Sequence, residues 1–161
     1  MAIEVSVSVD GLDDLVKRID SLKLETQKKG GRYALRKAAQ VLRDQARQNA
    51  AQIDDPESAA NISKNIVERF SPRRFRQNGD LLFRVGVMGG ARPTGGEPSL
   101  PGGNTTHWRF VEMGTSKARA QPFMRPVLDQ AAQKATDVFI REYNKAIDRA
   151  LRRAAKTGTS V

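Results

Sequence analysis

The chain contains no cysteine. Disulfides and thiolate metal sites are therefore excluded, and redox compartment leaves no mark on the sequence. Histidine occurs once, as His107, and aromatic residues make up only 6% of the chain. No apolar run approaches the roughly 20 residues needed to span a bilayer. The first residues, Met-Ala-Ile-Glu-Val-Ser-Val, lack a basic region followed by an apolar stretch, so no signal peptide is read there. Production and use in the cytoplasm is the simplest expectation. Apolar residues reach only 39%, low for a globular domain, so part of the chain is expected to be loop, tail or interface.

Positive charge is abundant. The 161 residues carry a formal net charge of +10, which attracts polyanions: nucleic acid, anionic lipid or an acidic protein surface. The length fits one domain with a real core. We place that domain at residues 1–156 and expect residues 157–161 to be a disordered tail.

In the first segment Ile3, Val5, Val7 and Val9 alternate with Glu4, Ser6 and Ser8, which predicts a strand over 2–9. Asp10 is a suitable N-cap. Leu12, Leu15, Val16, Ile19 and Leu22 then follow helical spacing over residues 11–22. A longer helix is predicted over 25–51, with the alanine-rich stripe Ala34, Leu35, Ala38, Val41, Leu42 and Ala46. Gly30-Gly31 weakens its first turns, at about 1 kcal/mol per glycine, and moves the expected start towards Arg32. Its other faces carry Arg36, Lys37 and Arg43, read either as a solvated basic face or as a polyanion or partner surface.

Residues 52–61 read as a polar connection. Residues 61–70 suit either a short helix (Ile62, Ile66, Val67) or the start of a strand. The alternation after Asn78-Gly79 suggests a hairpin, with strands near 66–75 and 80–88. Arg73, Arg74 and Arg76 surround Phe75 in this region. Residues 89–105 hold six glycines and three prolines and form no regular element. A loop of this length is usually functional or disordered, and we read it as an arm that orders against a neighbour. A phosphate-loop reading fails for want of the lysine and the strand-to-helix context. The last helix is predicted from about Phe123 to Lys156, with Pro126 in its first turn and a basic end at Arg149, Arg152 and Arg153.

Residues 106–128 are the most distinctive stretch. They combine His107, Trp108, Phe110 and Phe123 with two prolines and a Gly-Thr-Ser turn. They read as a structural junction: a short aromatic element (Trp108, Phe110, Val111), a turn at Gly114 and a helix entry at Pro122 and Pro126. Catalysis needs positioned groups of tuned acidity, and His107 with Glu112 is the only acid–base couple on offer. No paired carboxylates, serine elbow or metal-ligand spacing occurs. We therefore expect no catalytic residue, no cofactor and no metal.

Trp108-Arg-Phe-Val-Glu-Met-Gly-Thr-Ser (108–116), followed by Ala120-Gln-Pro-Phe-Met-Arg-Pro-Val-Leu (120–128), resembles a signature of phage tail-component proteins. In that family an aromatic–x–x–Val-Glu-x-Gly-Thr segment precedes Ala-x-Pro-Phe-hydrophobic-Arg-Pro. These are the head–tail joining, or tail-completion, proteins of long-tailed phages, similar in role to the lambda gene Z product. Trp108, Phe110, Val111, Glu112, Gly114, Thr115, Pro122, Phe123, Arg125 and Pro126 are the matching positions. The layout of most of the chain is similar as well.

The resemblance implies a non-enzymatic virion protein at the head-proximal end of the tail, acting in a homo-oligomeric, six-fold ring. Its implied neighbours are the tail terminator, the tail tube and the head–tail connector, with weak contact to channel DNA and no membrane. It would be found in the virion, and in the host cytoplasm during assembly. A basic nucleic-acid-binding protein of phage or host is the alternative. In fold we expect an α+β domain: an antiparallel sheet of three to four strands packed against two long helices, with a long Gly/Pro-rich loop. Within the signature, Trp108, Phe110, Phe123 and Met124 are expected to pack inward, and Glu112 to pair with Arg125.

Overall fold

The computed structural model describes residues 11–20, 22, 24–53, 60–88 and 100–157. In chain order the elements are helix α1 (Leu12–Asp20), α2 (Leu24–Ala51), the single turn α3 (Ile62–Asn65), strand β1 (Ile66–Phe70), helix α4 (Pro72–Asn78), strand β2 (Phe83–Val87), helix α5 (Trp108–Met113) and helix α6 (Val127–Thr157). The fold is α+β: two long helices and a small antiparallel sheet. Two strands are present among the described residues, against the three to four expected. The strand expected over 2–9 and the cap at Asp10 lie outside the described residues, as do residues 54–59, 89–99 and 158–161.

Helices α2 and α6 form the frame. Ala34, Ala38, Ala39, Ala46 and Ala50 of α2 are buried, and Val127, Ala131, Ala135, Tyr143 and Ile147 of α6 face them. Small side chains at a helix–helix contact let the axes approach. The pair runs antiparallel. Tyr143 on α6 donates its hydroxyl to the Gln27 carbonyl at 2.7 Å, while Asn49, at the other end of α2, donates to Gln130 at 2.9 Å. Burial raises the pKa of the Tyr143 phenol.

Contrary to the start expected near Arg32, α2 runs unbroken through Gly30 and Gly31. Tertiary packing overrides local propensity here. A Cβ on Gly30 would lie 3.0 Å from the Tyr143 ring, and one on Gly31 3.0 Å from Leu81 and 3.4 Å from the Tyr143 hydroxyl. The glycines open a slot for a large side chain in an otherwise alanine-lined interface.

Two apolar clusters share this frame. One gathers Ala46, Ala50, Ile62, Ile66, Phe123 and Val127. The other gathers Leu15, Leu22, Ala34, Tyr143 and Ile147, which fastens α1 to the long pair. Gln27 closes the end of α1 by donating to the Ile19 and Leu22 carbonyls, at 2.9 and 2.8 Å. Arg18 on α1 bonds Asn144 and Asp148 on α6. Helix α1 ends at Asp20, two residues short of the expected boundary.

Residues 61–70 are both things the sequence allowed: one helical turn capped by the Asn61 side chain, then a strand. The hairpin reading fails between the strands. Pro72–Asn78 is helical, with Pro at its first position and Gly79 in the left-handed conformation (φ 76°) as its C-cap. Proline at the start and glycine past the end are boundary signals of a helix, so Asn78-Gly79 closes α4 and is not a two-residue hairpin turn. The strands still pair antiparallel, from Ile66 opposite Val87 to Phe70 opposite Phe83.

Helix α6 begins at Val127, four residues later than expected. The Pro126 carbonyl accepts from the Gln130 N–H at 3.1 Å, so Pro126 caps the helix from outside its first turn. At the other end α6 includes Thr157, the first residue of the expected tail. Its last turns, from Leu151 to Lys156, are largely exposed.

Candidate functional site

The signature stretch folds into a compact helix–turn unit. The expected short aromatic element is the helix α5. The Thr105 carbonyl accepts from the Trp108 N–H at 3.0 Å, and the His107 carbonyl from those of Phe110 and Val111. Gly114 ends α5 with φ 78° and ψ 175°, a region open essentially to glycine. A Cβ there would also lie 2.8 Å from the Ala120 nitrogen. Thr115 closes the turn that follows: its Oγ1 accepts from the Lys117 and Ala118 N–H groups. The Val111 carbonyl accepts from Gln121 at 2.8 Å, which brings the chain back alongside α5.

Glu112 is the hub of the unit. Its buried carboxylate accepts from the backbone N–H of Phe123 and Met124 through Oε2, at 2.8 and 3.0 Å, and from that of Arg125 through Oε1, at 3.1 Å. Three successive donors, left free where the chain turns towards α6, are thus satisfied by one side chain. The expected Glu112–Arg125 pair is secondary. The Arg125 Nε lies 3.7 Å from Oε1 on a side chain that is 58% exposed, and its guanidinium also meets the Met113 sulfur. Phe123, which follows Pro122, is fully buried, and its carbonyl accepts from Asn49 of α2 at 3.0 Å. Trp108, Val111 and Met124 pack on the same cluster. Phe110 does not: contrary to expectation it is 64% exposed, beside Met113 at 66%. The two lie three residues apart, on one outward face of α5.

His107 is exposed at the start of α5 and is not among the partners of the Glu112 carboxylate. The acid–base couple weighed from the sequence is not assembled. Among the described residues no cluster of His, Asp and Glu has the form of a metal site.

A second hub, Asn65, carried no sequence signal. Its side chain is fully buried. It donates to the Gly103 carbonyl at 2.9 Å and to Thr105 Oγ1 at 2.8 Å, and it accepts from the Gly102 N–H at 2.8 Å. Its backbone carbonyl accepts from Met88 at 2.8 Å. Met88, just before the glycine- and proline-rich segment, and Gly102, near its end, therefore meet at one residue. Gly102 is required there, because a Cβ would fall 2.0 Å from the Asn61 carbonyl oxygen.

The basic candidates divide into two groups. Arg43 is turned inward: it bonds Glu68 on β1 and Asp44, both at 2.7 Å. Desolvation works against both charges. The hydrogen bonds outweigh it, so that the Arg43 pKa is raised and the Glu68 carboxyl is held below the usual carboxylate range. Gln40 and the backbone N–H of Glu68 itself assist on the acid's side. Arg36 reaches the same carboxylate at 3.7 Å while remaining largely exposed. Lys37 and Arg149 both approach the half-exposed Tyr33, 5.8 and 5.6 Å from the ring centroid.

Arg73, Arg74 and Arg76 are exposed on α4, whose Phe75 packs on Phe70. Arg152 and Arg153 are exposed near the end of α6. Two arginines missed from the sequence, Arg69 and Arg84, stand directly opposite each other across the strands and are both exposed. The alternation of β1 and β2 was the signal that could have found them.

No helix of the described residues is long and apolar enough to cross a membrane. No curated protein and no solved structure matches the chain. A family model does match, described as "Bacteriophage HK97-gp10, putative tail-component", over residues 13–114. The matched span is more than half of the chain. It runs from α1 through α5 to the Gly114 turn and stops short of the Pro-Phe-Met-Arg-Pro segment that Glu112 holds. The chain belongs to the HK97-gp10-like family of bacteriophage tail components.

Proposed function

We propose that the protein is a non-enzymatic structural component of the virion, placed at the head-proximal end of the tail. There it completes the tail and joins it to the head as part of a homo-oligomeric ring, six-fold in the reading drawn from the signature. Tail terminator, tail tube and connector proteins are its neighbours. Family membership supports the tail assignment. The observation that carries the ring reading is the outward face of α5: Phe110 and Met113, two large apolar side chains on a helix of the signature, are left in solvent. Exposed apolar side chains grouped on a rigid element mark an interaction site. A ring is closed by one such patch on each copy meeting a different patch on the next.

Antibody–gold labelling of phage particles, viewed by negative-stain electron microscopy, tests the location. Label at the head–tail junction is the expected result. Label along the tail tube or at its tip would keep the tail role and overturn the position. The alternative, a dedicated nucleic-acid-binding protein, predicts submicromolar affinity for free duplex at physiological salt. A tail component predicts weak binding that disappears as salt rises.

A further inference from the structure

We infer that the outer face of the β1–β2 sheet, centred on Arg69 and Arg84, binds the phosphate backbone of duplex DNA. Side chains alternate across a strand. Ile66, Glu68 and Phe70 point towards α2, so Val67 and Arg69 point away from it, with Gly86 and Arg84 as their cross-strand partners. Like charges placed directly opposite on a sheet are destabilising. Here no carboxylate among the described residues neutralises them. The nearest in sequence, Glu68, lies on the other face and is engaged by Arg43 and Arg36. The Arg69 guanidinium meets the Met88 sulfur, a weak acceptor.

The connecting helix α4, whose Phe75 packs on the inner-face Phe70, adds three further exposed arginines beside the sheet. Residues 66–88 hold five arginines and no lysine. Arg69, Arg73, Arg74, Arg76 and Arg84 are all exposed, and none forms an ion pair among the described residues. The other acid of the stretch, Asp80, is bonded by Asn78.

Phosphate fits this face better than an acidic protein does. Protein interfaces have an apolar core inside a polar rim. In residues 66–88 only Leu82 is a large apolar side chain exposed to solvent. A Cβ on Gly86 would meet nothing within 4 Å, so the strand backbone beside the arginines is open to close approach. Two guanidiniums projecting from facing positions can converge on a single phosphate, the anion their forked donors suit. The bound anion would remove the repulsion that the free protein carries.

The inference deepens the proposed role, since a head–tail joint surrounds the path of the genome, but its test is separate. Fluorescence anisotropy of a labelled duplex of about 20 base pairs, roughly two helical turns, would be followed against salt for the wild type. Two variants of equal charge loss would be measured beside it: Arg69→Ala with Arg84→Ala, and Lys117→Ala with Arg119→Ala on the turn after α5. We expect the first pair to bind roughly tenfold or more weakly at about 50 mM salt. The slope of log K against log salt should become shallower by about 0.9, the value for the single phosphate that is no longer neutralised. The Lys117/Arg119 pair should stay near wild type in slope. Melting temperatures at or above that of the wild type would show that Arg69/Arg84 variants fold. Equal loss in both pairs would reduce the effect to net charge and overturn the site. So would an unchanged Arg69/Arg84 variant, or a wild type that binds polyglutamate but not duplex. Gold labelling reads position alone, so failure here and failure of the proposed location are distinguishable.

Discussion

The Glu112 turn and the outer sheet face treat charge in opposite ways. At the turn, one carboxylate is buried and its capacity goes to the chain's own backbone: three N–H groups, with Arg125 at the margin. On the sheet, Arg69 and Arg84 face each other and find no carboxylate among the described residues. The first arrangement builds the protein and leaves little for a partner to read. The second has no ion pair among the described residues and leaves its charge exposed to solvent. The charge in the stretch most recognisable in the sequence is therefore architectural, while Phe110 and Met113 of the same stretch stay in solvent. The surface best suited to an anion lies in a segment with no distinctive motif.

The largest effect expected is at Glu112. Replacement by alanine strands three donors, one of them fully buried, and should lower stability by about 3–5 kcal/mol, since each unsatisfied buried group costs ~1–3 kcal/mol. Denaturant unfolding would measure it. A loss below about 1 kcal/mol, the net worth of one ordinary hydrogen bond, would mean that water or a neighbouring group replaces the carboxylate. Gly114→Ala comes next. The positive φ and the approach of Ala120 should together cost roughly 2–3 kcal/mol, read in the same way.

Glu68 sharpens the contrast within the sheet, because it is the inner-face acid that the outer arginines cannot reach. Its folded pKa is lowered, so the unfolded chain binds the proton more readily. The resulting stabilisation is complete above the unfolded value of about 4.3. It is lost as pH falls from there through the lowered folded value. Glu68→Gln should flatten the stability–pH curve in that acid window and leave Arg43 without its charge partner on β1. The cost at neutral pH is on the order of 3 kcal/mol, the lower range for breaking one side of a buried pair. Chemical denaturation at a series of pH values would show both.

The smallest effects are expected at the exposed arginines. Arg125→Ala should cost less than about 1 kcal/mol, as surface pairs do, which would separate the backbone role of Glu112 from any ion pair. Arg69→Ala or Arg84→Ala alone should be neutral or stabilising by about 0.2–1 kcal/mol through relief of the cross-strand repulsion. A clear destabilisation by either would show that these side chains support the fold.

Helices α2 and α6 were legible because their apolar residues recur at the helical period. Helix α4 was missed although its punctuation was present: Ser71-Pro72 opens it and Gly79 closes it. The Asn78-Gly79 pair and the alternation that follows it outweighed those signals. Glu112 was rightly singled out as a residue that fixes the turn to the start of α6, but with the wrong principal partner. A side-chain pattern can suggest an arginine; it cannot show backbone N–H groups, which every residue but proline carries. The outward position of Phe110 was hidden for a related reason. A helix as short as α5 has no repeated period to say which side faces the core. Gly30 and Gly31 misled because the residue that explains them, Tyr143, lies far away on α6.

The meeting of Met88 and Gly102 at Asn65 has an evolutionary consequence. A segment whose two ends are tied to one buried residue, one through its backbone carbonyl and the other through its side chain, can change length with little cost to the domain that carries it. Loop-closure entropy grows only slowly, by about 0.6 kcal/mol for each doubling of length. Related tail components could thus diverge freely between these two positions while α2, α6 and the sheet stay unchanged. The same place is where a fluorescent tag or an affinity epitope should be inserted into this protein with the least damage to its folding.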